Sequence, residues 1–158
     1  MVLTEIGHVD IATNMKNYTY WLAWGKVPEP WDAPPVENLE LTQLEQEVGR
    51  VKEAYKEFVI PDENGVIEVN NQKWSISSDN PTKFIYLKFI FEPEYNANDT
   101  IYQLGLFSNT IPTEGNENKT YLLPSEIKDT GKLMFIENIM PINRNDATKN
   151  IFEYIIAF

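Results

Sequence analysis

Few residues in this chain are of a type that does chemistry, and their spacing brings few of them together. The one histidine, His8, stands between Glu5 and Asp10. An imidazole with two carboxylates is a donor set for a divalent metal, yet the spacing matches no ligand motif. On a strand, Glu5 and His8 would also face opposite sides. A solvated arm histidine is the better reading. Any Ser-His-Asp arrangement would have to pass through His8, no cysteine exists for a Cys-His pair, and no G-x-S-x-G elbow occurs.

Two further acids, Glu92 and Glu94 in EPEYNAND, share one face if a strand persists through them. A glycosidase needs only such a pair, at a set distance across a bond. Asn96, Asn98 and Asp99 add oxygens that would suit calcium, but the glycine and closing glutamate of an EF-hand loop are missing. With 24 acidic residues in the chain, such a cluster is expected by chance, so a solvated strand end and turn is predicted. The glycines are scattered singly and form neither a P-loop nor a dinucleotide fingerprint. The sequence therefore predicts no catalytic residue, no metal and no cofactor.

Composition narrows the remaining classes. At 158 residues, 42% hydrophobic and 13% aromatic, the chain suits one ordered globular domain over 1–158. Zero cysteines exclude a disulfide framework and thiolate metal sites. A net charge of −11 repels phosphate backbones and anionic lipid, which argues against nucleic-acid and membrane-surface partners. No apolar run approaches the ~20 residues of a membrane span. The opening MVLTEIGHVD lacks the basic and apolar regions of a signal peptide, so the N-x-T triplets at Asn17, Asn98 and Asn118 carry little weight.

The elements that would position any site read mainly as β. Residues 1–15 form an N-terminal arm, and YTYWLAW reads as a strand ending at Gly25. Over Asn38–Glu57, Leu41, Leu44, Val48, Val51, Tyr55 and Phe58 fall at spacings that predict one amphipathic helix, packed on the sheet. VIEV and KWSIS pair around an Asn70-Asn71 turn. KFIYLKFIF places Ile85, Leu87, Phe89 and Phe91 on one face, and IYQLGLFS reads as its antiparallel partner. After a loop at 109–120 come KLMFIENIMPI and NIFEYIIAF, joined by a polar turn. The fold class predicted is an antiparallel β-sandwich or open barrel of roughly seven strands with one helix.

One stretch stands apart. YWLAWGKVPEPWDAPP, from Tyr20 to Pro35, sets Trp21, Trp24 and Trp31 beside Pro28, Pro30, Pro34 and Pro35. Prolines at this density force an extended connection, here over 25–37. A Trp buries roughly 150–250 Å² with few rotors to freeze, which favours it as an interface anchor. Trp21 and Trp24 would lie on opposite faces of a strand, so both are core only if both faces are covered. The residues predicted for a protein interface are Trp24, Pro30, Trp31, Pro34 and Pro35. The alternative is a carbohydrate-binding β-sandwich module of a fibre or receptor-binding protein, with Trp24 or Trp31 stacked on sugar.

The order of these features resembles the baseplate wedge proteins of contractile-tailed phages, the family of the gene 8 product of T-even phages. The residues that carry the likeness are Trp24, Gly25, Lys26, Pro30, Trp31, Pro34 and Pro35, then Gly131, Met134–Ile136, Glu137, Asn138 and Pro141, and the closing strand Ile155–Phe158. The resemblance implies a shortened member lacking a large central insertion. It also implies a non-enzymatic virion component, assembled in the host cytoplasm, that forms a homodimer and binds other baseplate wedge proteins. Such a subunit links the inner baseplate to peripheral, fibre-bearing parts of the tail.

Overall fold

A computed structural model describes residues 1–158. In chain order the elements are α1 (Glu5–Lys16), β1 (Tyr20–Lys26), β2 (Gln46–Lys52), β3 (Tyr55–Pro61), β4 (Ile67–Val69), β5 (Gln72–Ile76) and β6 (Phe84–Phe91). There follow β7 (Thr100–Ser108), β8 (Ile111–Pro112), β9 (Tyr121–Leu122), a 3₁₀ turn at Pro124–Glu126, β10 (Ile127–Asp129), β11 (Lys132–Asn143) and β12 (Asn150–Ala157). The chain is mainly antiparallel β with a single α-helix, as its sequence predicts. It forms two units, one of Met1–Tyr18, Glu53–Phe89 and Ile151–Phe158, the other of Thr19–Lys52 and Ile90–Asn150.

The first unit holds α1 and a five-stranded sheet in the order β12-β6-β3-β5-β4. Thr4 caps α1, its hydroxyl accepting from the Gly7 N–H at 3.2 Å. Only Ala12 of this helix is fully buried, which is why no apolar stripe announces it. The alternation read in β6 is real: Ile85, Leu87, Phe89 and Phe91 are buried, each side chain contributing about 1.5–3 kcal/mol of hydrophobic stabilisation. The opposite face carries Tyr86 and Phe84 into a second cluster with Val59, Val69 and Trp74. Asn70 and Asn71 both take positive φ, 53° and 62°, the backbone of a tight hairpin turn between β4 and β5.

The second unit is a sheet ordered β11-β7-β1-β2-β9, with a small β8–β10 ribbon. Its central strand β1 is buried on both faces, so Trp21 and Trp24 are both core, at 3% and 0% exposure. Trp21 packs with Ala23, Leu44, Phe107 and Leu122.

Two expectations are corrected. Residues 38–57 are not helical: they run through a turn, then β2, then the start of β3, and the helix lies at the N-terminus instead. The 3-4 spacing misleads because β2 is an inner strand, where Gly49, Arg50 and Val51 are all buried and no alternation survives. Asn38, the first residue of the predicted helix, caps a local turn, its side-chain oxygen accepting from the Glu40 N–H at 3.0 Å. Likewise, β7 pairs with β1 and β11 rather than β6. Consecutive turns at Glu92–Tyr95 and Asn96–Asp99, with Asn96 at φ 51°, carry the chain from one sheet to the other instead of folding it back as a hairpin.

Candidate functional site

Between β1 and β2, residues 27–45 lie as a strap whose two ends are anchored by buried Val27 and Leu44. Its middle is fastened to β11. The Trp31 indole N–H donates to the Ile139 carbonyl at 2.9 Å, and the Trp31 ring meets Tyr102 edge-on at 5.4 Å. The Asn138 N–H donates to the Glu37 carboxylate at 3.1 Å, and the Asn138 side-chain amide donates to the Pro35 carbonyl at 3.1 Å. That main-chain bond holds the Glu37 carboxyl below its ordinary range. Gln103 extends the fastening, accepting from the Glu45 N–H at 3.2 Å and donating to Asn138 at 3.0 Å.

These bonds have a structural purpose. β11 is an edge strand of twelve residues, and an edge that long presents unpaired main-chain groups. The strap satisfies the carbonyl of Ile139 and the N–H of Asn138. It then turns its own apolar side chains outward: Val36 is 92% and Leu39 85% exposed, with Pro28, Pro30, Pro34 and Pro35 exposed around them. Within 27–45 the charged residues are Glu29, Asp32, Glu37, Glu40 and Glu45, with no lysine or arginine. The surface presented is apolar, proline-stiffened and acidic.

Trp24 lies elsewhere. Wholly buried, it stacks on Phe91 at 3.7 Å, lies under the Arg144 guanidinium at 4.8 Å, and donates to the Asn96 side-chain oxygen at 2.8 Å. The same oxygen accepts from the Tyr121 hydroxyl, whose ring stacks on Tyr95 at 3.9 Å. Gly49 makes room for this, since a Cβ there would run into the Tyr121 hydroxyl. Of the five residues predicted for the interface, the structure therefore places Trp31, Pro30, Pro34 and Pro35 together on the strap and puts Trp24 in the core. Val36 and Leu39, the strap's most exposed apolar residues, were missed; two apolar side chains following paired prolines were the available signal.

Of the acids weighed for chemistry, Glu94 and Asp10 are exposed and two others form ion pairs. Glu92 pairs with Lys149 at 3.7 Å, and Glu5 with Lys83 at 2.6 Å, while His8 sits half-buried on α1.

Burial pushes the Tyr121 hydroxyl up to about 12, and burial with the neighbouring Glu153 charge does the same for Tyr86. An acid whose folded pKa lies above its ordinary value of 10 contributes stability that is complete below pH 10 and is lost as pH rises through 12. Urea midpoints should therefore hold steady up to about pH 10 and fall between 10 and 12. In a Tyr86→Phe variant the fall should be shallower.

Residues 1–158 match the family described as "Baseplate wedge 3 tail fiber network component". The chain belongs to that family. It is also similar to "Virion protein 3" of Enterococcus phage phiEF24C, being 26% identical over 159 residues that cover 90% of this chain and 87% of the relative. A baseplate wedge component acts by contact with other baseplate proteins, and the family is a structural one, which fits a protein without catalytic machinery. In this baseplate wedge component no helix is long and apolar enough to cross a membrane.

Proposed function

We propose that this chain links the inner baseplate to peripheral, fibre-bearing parts of a contractile phage tail, after assembly in the host cytoplasm. It does so as a pair of copies, each docking a neighbouring wedge protein on its strap. The observation that supports this reading is the exposure of Val36 and Leu39 on a segment whose backbone is already pinned to β11. Ordering costs little when the segment is held beforehand, so burying these side chains yields affinity that a loose loop would lose to entropy. The acidic rim selects a neighbour whose apolar groove is bordered by lysine and arginine.

A Val36→Asp/Leu39→Asp variant tests this directly. Mixed with the other wedge proteins of its phage, the variant should enter wedge complexes at least about tenfold more weakly than wild type, as judged by co-sedimentation. Raising salt should weaken the wild-type complex as well. Equal incorporation of variant and wild type would overturn the reading. Sugar stacking is not favoured, because Trp24 is wholly buried and Trp31 is half-buried, packed perpendicular to the Tyr102 ring with its N–H on a carbonyl.

A further inference from the structure

The long sheet edges of this protein are treated differently. The strap covers β11, while β4 and β9, at the far ends of the two sheets, run for only three and two residues. The eight-residue edge β12 has no such cover: each of its residues keeps some solvent exposure, and Ile151 and Ala157 are exposed.

The outward-facing groups can be identified. Phe158 N–H donates to Lys83 carbonyl at 3.0 Å, Glu153 reaches Lys88 at 3.9 Å, and Tyr154 meets Phe89 edge-on. These contacts set 158 opposite 83 and 153 opposite 88, so even-numbered residues bond to β6. The main-chain groups of Ile151, Glu153, Ile155 and Ala157 then point away from the sheet.

We propose that β12 is the contact between two copies of this chain, paired antiparallel about a two-fold axis at Tyr154. This rests on the paired state named above and supplies its surface and register. In that register Ile151 faces Ala157 of the second copy and Glu153 faces Ile155, so all four outward residues exchange main-chain bonds, about eight in total. On the adjacent face Phe152 lies across from Ile156, and Tyr154 from its own symmetry mate.

Charge argues for a second copy as the occupant. Each copy carries −11, so self-association requires a contact poor in acids, and Ile151–Phe158 holds Glu153 alone, already neighboured by Lys88. A shift of the axis by one residue, to 153, sets Glu153 against Glu153, and like charges directly opposite disfavour pairing. Centring at 154 avoids that opposition and uses every outward group.

Light scattering on the whole chain should give twice the 18.3 kDa mass. Ile151→Lys/Ala157→Lys, changed at exposed positions, should give the single mass with an unaltered β circular-dichroism spectrum. Because the chain has no cysteine, Tyr154→Cys should form a covalent dimer on oxidation, while Asn116→Cys, outside β12, should not. A monomeric wild type at high concentration overturns both this proposal and the paired state. A dimer that survives the lysine changes, or that Tyr154→Cys does not cross-link, overturns the β12 contact alone. Strap docking is read separately, from the Val36 and Leu39 variant.

Discussion

Replacing Arg50 by alanine is expected to lower stability by about 3–5 kcal/mol, the cost of removing one partner from a buried ion pair. Arg50 is 1% exposed and every nitrogen of its guanidinium is engaged. Nε and Nη2 grip both oxygens of Glu47 at 2.9 and 2.6 Å. Nη1 donates to the Thr110 hydroxyl at 2.6 Å and the Thr130 carbonyl at 2.8 Å, while the plane lies 4.0 Å over Phe107. Alanine strands the Glu47 carboxylate, opens a void above Phe107 and releases the threonines that tie the β7–β8 and β10–β11 connections to β2. Lysine keeps the charge but not the two-pronged geometry, so Arg50→Lys should recover less than roughly half of the loss. Urea denaturation followed by tryptophan fluorescence measures both; a loss below about 1 kcal/mol for alanine would show that water replaces the network.

Arg144→Leu is expected to cost about 3 kcal/mol, for a different reason. This guanidinium is 6% exposed and contacts no carboxylate. Its donors go to main-chain carbonyls: Glu92 at 2.8 Å, Tyr95 at 3.0 Å and Thr148 at 2.6 Å, with Asn150 Oδ1 at 2.5 Å. Burial accordingly pulls its pKa below the ordinary arginine value. Leucine relieves that desolvation, which offsets part of the loss, but leaves several part-buried carbonyls without donors and unties the Glu92–Tyr95 turn from the 144–150 loop. Since the same guanidinium covers Trp24, the variant's emission should shift red even in its folded baseline. An unshifted spectrum with full stability would contradict this account.

What could be read from the sequence follows from where alternation and turn chemistry are local. β6 was legible because a strand with one wholly buried face writes that face at every second residue. The β4–β5 hairpin was legible because Asn70-Asn71 tolerates positive φ. The β2 and β3 region was not: an inner strand shows no polar face, and Gly49 and Arg50 have their reasons in Tyr121, Thr110 and Thr130, some 60–80 residues away. Helix α1 was missed because its residues bury so little. Of the interface residues, Trp31 and the prolines were found through composition. Trp24 was placed with them because its partners, Arg144 and Asn96, come from distant loops that read as solvated turns.

The way the chain threads between its units bears on when the protein can exist at all. The first unit is drawn from residues 1–18, 53–89 and 151–158, so its sheet lacks β12 until those last residues have been made. At typical elongation rates the N-terminal segment waits on the order of ten seconds for its final strand. A chain cut short before Ile151 leaves β6 bare along one side. Closure of the first unit is thus tied to β12, the strand its sheet receives last.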